Sequence, residues 1–173
     1  TRVDAAGGAL VQLFTDHPYM TNQMRLQAYT ATVRSAGLIG VDIWGWCRAY
    51  KVEKAEGRSF RILCRAHGRT KIDAMLWLSG LYPLWVPAAV QAFGFLISLL
   101  EHGDSLELAA LEFWKKLAQA QKWGWFHEVL GMFRCVGILE DIGCEESVRK
   151  WVASDAKAWR ANFQKRCQAK AEQ

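Results

Sequence analysis

Ser59-Phe60-Arg61-Ile62-Leu63-Cys64-Arg65-Ala66-His67-Gly68-Arg69-Thr70-Lys71 is the stretch whose reading decides the fold, together with its continuation to Val90. Phe60 to Cys64 alternates around a Leu63 core position, the period of a strand. His67 and Gly68 punctuate a tight basic turn, and a helix follows from about Thr70 to Ser79, stopped by Gly80. Leu84 to Ala89 reads as a second, short strand. Upstream, Val41 to Tyr50 reads as a further strand, and the polar segment Val52 to Arg58, with Gly57 inside it, reads as the turn of a hairpin onto Phe60–Cys64. These elements predict an α/β fold of the α+β kind, a small mixed sheet with a helical C-terminal half.

Working outward, residues 1–20 read as an N-terminal arm or short helix with an apolar patch at Leu10, Val11, Leu13 and Phe14. Thr21 or Asn22 can cap a helix running to about Ala36, ended by Gly37. Beyond Val90 the periodicity is helical only, with helices expected at about Gln91–His102, Ser105–Trp123, Trp125–Val136 and Glu145–Lys170. Asp104 or Ser105 suits the cap of the second of these. The expected organisation is an arm over 1–20, a core over 21–92 and a helical extension over 93–173 packed on that core.

The 173 residues are 51% hydrophobic, enough for a sizeable core, and the net charge of +5 favours a polyanionic partner such as nucleic acid. Five cysteines, Cys47, Cys64, Cys135, Cys144 and Cys167, form no C-x-x-C pair, which points to a reducing compartment and the cytoplasm. Ala74 to Leu100 carries no charged residue and is long enough to span a bilayer. Gly80, Pro83, Pro87 and Gly94 interrupt it, so no transmembrane span is expected. Attachment at the inner face of the membrane stays compatible with the sequence.

Basic residues concentrate at Arg48, Lys51, Lys54, Arg58, Arg61, Arg65, Arg69 and Lys71, against Glu53 and Glu56 alone. A glycine-containing turn that opens a helix presents backbone N–H groups, and flanking cations add full charges, so Gly68, Arg69, Thr70 and Lys71 suit a nucleotide phosphate. Arg48, Lys51, Lys54, Arg58, Arg61 and Arg65 form a candidate DNA-binding surface, for which the competing reading is a solvated basic hairpin. Hydrolysis would need an acid or base, or a metal to organise water. His67, Glu53 and Glu56 are the candidates beside Arg69 and Lys71, the glutamates as Mg²⁺ ligands or as simple charge balance. His102 and His127 read as structural. Trp44, Trp46, Trp77 and Trp85 read mainly as packing, with base stacking as the alternative, and Trp123 and Trp125 as a patch for a protein partner.

The order of these pieces resembles the ParB/sulfiredoxin superfamily. Its hallmark of strand, G-x-x-R-x-x-A turn, helix and V-P strand is matched by Phe60–Leu63, by Gly68-Arg69-Thr70-Lys71-Ile72-Asp73-Ala74, by Gly80-Leu81 and by Val86-Pro87-Ala88. The family arginine falls on either Arg69 or Lys71. Sulfiredoxin chemistry needs a cysteine within the turn, and Arg65 to Lys71 has none, while Cys64 is expected to point into the core. The helical half is too short for a full partition protein. Among compact members of the superfamily, the size, the tryptophan-rich composition and the single core with a helical tail are similar to a plasmid fertility-inhibition protein. That resemblance implies ATP binding and hydrolysis and DNA cleavage, blocking conjugative transfer through a type IV secretion system whose coupling component would be a partner. A non-enzymatic adaptor that binds DNA or protein is the alternative.

Overall fold

The computed structural model describes residues 2–40, 49–120, 125–137 and 145–173. Every regular element among the described residues is helical, which overturns the expected mixed sheet. Phe60–Leu63 is the last turn of a helix over Ala49–Leu63, and the supposed hairpin turn Val52–Arg58 is its middle. Leu84–Ala89 is no strand either, because a helix starts at Trp85. Pro87 sits in the first turn of that helix, where no intrahelical partner needs its missing N–H. Of the remaining strand, Ala49 and Tyr50 are helical, and Val41 to Arg48 lie outside the described residues. The pieces that carried the resemblance to a strand-turn-helix-strand core are therefore helix, turn, helix and helix.

The chain divides into two compact units, residues 1–40 with 48–85, and residues 41–47 with 86–173. In the first, α1 is Arg2–Asp16, α2 is Asn22–Tyr29, α3 is Ser35–Leu38, α4 is Ala49–Leu63 and α5 is Ile72–Leu78. Val3, Gly7, Leu10 and Phe14 recur at heptad-like spacing along α1 and are buried, so the first residues are part of the core. They meet Tyr29, Val33, Ala55, Phe60, Met75 and Leu76. The rings of Tyr29 and Phe60 lie 4.9 Å apart.

Thr21 caps α2, its hydroxyl accepting from the Met24 N–H at 3.2 Å. Between α2 and α3 the helix widens into a π-turn over Thr30–Arg34. Thr30 and Thr32 donate their hydroxyls back to the carbonyls of Leu26 and Ala28, contacts that compete with the regular ladder. The adjacent Val33 and Arg34 are both buried there.

In the second unit α6 is Trp85–His102, whose packed face begins at Val86, followed by α7 Ser105–Gln119, α8 Trp125–Cys135 and α9 Glu145–Ala171. Phe93 of α6, Phe133 of α8 and Phe163 of α9 form its aromatic centre, with Phe93 stacked on Phe163 at 4.3 Å. Asp104 caps α7, its Oδ1 accepting from the N–H groups of Leu106 and Glu107 at 2.9 Å, while Glu107 accepts from the Asp104 N–H. Among the described residues no helix is long and apolar enough to cross a membrane.

Candidate polyanion-binding face

The helical state of residues 49–63 rearranges the basic residues that the sequence places on a hairpin. Ala55, Glu56, Gly57 and Phe60 are buried, whereas Lys54, Arg58 and Ile62 are exposed. Spacings of four and three residues bring Lys54, Arg58 and Arg61 to one side of α4. Arg58 Nη2 lies 2.9 Å from Asp4 Oδ1 in an exposed pair, worth little because both groups stay hydrated. Lys51 is in the first turn of the same helix, and Arg48 lies outside the described residues.

At the end of α4 the chain turns through Arg65, whose φ of 51° is left-handed. The Ala66 N–H donates to the Arg61 carbonyl at 2.8 Å and the Arg65 N–H to the Ile62 carbonyl at 3.1 Å, a Schellman closure with arginine where glycine is usual. Cys64, expected in the core, is exposed. The next turn is held by Thr70 N–H to the His67 carbonyl at 2.9 Å and by Arg69 N–H to His67 Nδ1 at 3.2 Å. His67 therefore braces the turn through Nδ1. Arg61 Nε donates to the Thr70 carbonyl at 2.9 Å, fastening the turn against the basic side of α4. His67, Gly68, Arg69 and Lys71 are exposed and Thr70 is half-buried.

The basic side chains of α4, Lys54 and Arg58, and those of the following turn, Arg65, Arg69 and Lys71, are thus exposed and joined through Arg61. The turn itself is not a phosphate cradle of the glycine-dependent kind. Gly68 is not left-handed, and a Cβ there meets nothing within 4 Å. Lys71 is the N-cap of α5 and makes no side-chain cap, and α5 is only one and a half to two turns long.

The two glutamates expected beside this turn are engaged elsewhere. Glu56 Oε1 lies 2.9 Å from Arg34 Nε, both side chains nearly inaccessible. Arg34 Nη2 also donates to the Tyr82 carbonyl at 2.5 Å. Burial pushes the Glu56 carboxyl above its ordinary range against the pull of Arg34, and burial together with the Glu56 charge pushes the Tyr29 hydroxyl up strongly. Among the described residues the Tyr29 hydroxyl makes no well-aligned hydrogen bond. Glu53 Oε1 accepts from the Trp85 N–H at 2.9 Å within the first unit, and burial raises its carboxyl as well. Neither is an exposed counter-charge on a hairpin. Among the described residues no group of three His, Cys, Asp or Glu side chains is placed to hold a metal.

Sequence reasoning missed the inward arginines, Arg25 and Arg34, and the exposure of Trp77, which is 77% accessible. Nothing in the local sequence marks Arg34, since its partner lies 22 positions away. The charge divides sharply between the units: 11 Lys and Arg less 5 Asp and Glu give the first +6, and 11 less 12 give the second −1. Compared with protein-family models, curated proteins and solved structures, the chain matches none of them.

Proposed function

We propose that this chain is a non-enzymatic adaptor whose first unit holds a nucleic acid on the face formed by α4 and the following turn. The observation that carries this reading is the segregation of charge: the net +6 lies entirely in the first unit. Within that unit, the Arg61–Thr70 hydrogen bond joins the basic residues of α4 to those of the turn. A stripe of cations on a helix and its exit loop neutralises successive phosphates without reading bases, and its strength comes from released counterions. Binding is favoured over hydrolysis because Glu53 is engaged by the Trp85 N–H and Glu56 by Arg34.

The test is a titration of labelled duplex and single-stranded DNA by fluorescence anisotropy at several salt concentrations, with ATP turnover and plasmid cleavage in Mg²⁺ followed on the same preparation. Binding is expected to weaken steeply with salt. Arg69→Ala with Lys71→Ala is expected to make the slope of log K against log salt shallower by about one for each phosphate that is no longer neutralised. Affinity insensitive to salt, or unchanged in that double variant, overturns the assignment. Turnover of ATP or DNA abolished by the same double variant replaces it with the hydrolytic reading.

A further inference from the structure

The first unit contains an open groove of about 790 Å³, within the size range of small-molecule sites. Its walls are apolar at Met20, Leu26, Leu63 and Leu78 and polar at Asn22, Gln23 and Ser79, and its charged groups are Arg25 and Arg65, with no carboxylate among the lining residues. Arg25 is only 8% exposed. Its Nε donates to the Met20 carbonyl at 3.1 Å and its Nη2 to the Pro18 carbonyl at 3.4 Å, and its guanidinium stands 5.2 Å from the centre of the Phe14 ring. A guanidinium offers five N–H donors and a full charge. Two carbonyls and a ring satisfy part of this and neutralise none of it. Buried charges are ordinarily paired, because an uncompensated one is costly. Arg34, also buried, has its carboxylate in Glu56; among the described residues Arg25 has none.

We propose that this groove binds an amphipathic organic monocarboxylate, with the carboxylate paired to Arg25 and Arg65 and the apolar body lying along Met20, Leu26, Leu63 and Leu78. Charge complementarity selects an anion, and the apolar side chains of Met20, Leu26, Leu63 and Leu78 offer its body a surface to lie against. Leu78 is 77% exposed, an apolar side chain for which burial against a ligand removes its exposure to water. The groove shares Arg65 with the basic face, whereas Arg25, Leu26 and Leu78 line it and Arg69 and Lys71 do not, so Leu78→Glu tests the groove apart from the nucleic-acid reading.

Isothermal titration of the full chain with dodecanoate below its micelle concentration, beside dodecyltrimethylammonium of the same chain length, tests the proposal. Dodecanoate is expected to bind one to one, and the cation at least about tenfold more weakly. Leu78→Glu and Arg65→Glu, at exposed positions where circular dichroism checks the fold, are each expected to weaken dodecanoate by about tenfold or more. Equal affinity for the two amphiphiles, or affinity unchanged in both variants, overturns the site. Absence of dodecanoate binding also overturns it, and capture of an acidic amphipathic peptide in its place would assign the groove to a protein partner.

Discussion

Arg34 Nε and Glu56 Oε1 lie 2.9 Å apart inside the first unit, with 8% and 3% of their side chains exposed. One partner comes from the π-turn after α2 and the other from the middle of α4, so the pair ties together two helices distant in sequence. A buried pair of this kind contributes little over a well-packed apolar pair, yet losing one member strands the other charge. Glu56→Ala is therefore expected to destabilise the first unit by about 3–5 kcal/mol, and the joint change Arg34→Met with Glu56→Leu to recover most of that. Urea unfolding followed by circular dichroism measures both; additive losses in the joint variant would contradict the pairing.

Glu53 predicts the pH dependence. Its carboxyl titrates near 4.5 when unfolded and at higher pH when folded, because burial disfavours its charge. Between those values the folded state holds more protons than the unfolded state, so stability falls as pH rises through this window and is regained on acidification toward 4.5. Glu53→Gln keeps an oxygen for the Trp85 N–H and removes the titration. Urea midpoints measured from neutral pH down to 4.5 are expected to show a flatter profile for the variant than for the parent chain.

Two helix ends give opposite signs for related substitutions. Gly80, at φ 67°, closes α5 with its N–H on the Trp77 carbonyl and the Leu81 N–H on the Leu76 carbonyl. Gly80→Ala is expected to cost about 1 kcal/mol or more, since a Cβ is strained there. Arg65 closes α4 in the same geometry with a Cβ already present, so Arg65→Gly is expected to leave stability unchanged or raise it by up to about 1 kcal/mol. Thermal unfolding of the two variants side by side checks the contrast.

At Gly7, α1 approaches α4 closely. A Cβ at Gly7 would run into Ser59 Oγ and come within 3.1 Å of Ser59 Cβ. Gly7→Ala is expected to cost about 1–3 kcal/mol by overpacking. Ser59→Ala in the same chain removes the hydroxyl and is expected to return part of the loss. A full return would place the whole strain on Oγ, and none would mean that the helices separate instead; the denaturation midpoints of the three chains decide.

The local signals that held are those whose whole mechanism lies within a few residues. Gly80 stops α5 because that turn needs a left-handed residue, and Asp104 caps α7 because its oxygen reaches N–H groups two and three positions on. The strand readings failed where a short alternation is compatible with two periods. Phe60-Arg61-Ile62-Leu63 alternates like a strand, yet Val52, Ala55, Glu56, Phe60 and Leu63 also fall on one helical face, with Lys54, Arg58 and Arg61 opposite or beside it. Four residues cannot separate these periods, whereas the full span of 49–63 does. Val86-Pro87 misled for a related reason, because proline suits the first turn of a helix as well as the edge of a sheet.

By itself the sequence determined the basic concentration between Arg48 and Lys71, the exposed turn at His67–Lys71, the end of α5 and the start of α7. Only the tertiary structure decided that Ala49–Leu63 is a helix, that Glu53 and Glu56 turn inward, and that Arg34 has a counter-charge while Arg25 lines a groove without one. The reason is the range of the forces involved: caps and turns are satisfied by neighbours a few residues away, whereas burial and charge pairing depend on residues that folding brings together from distant parts of the chain.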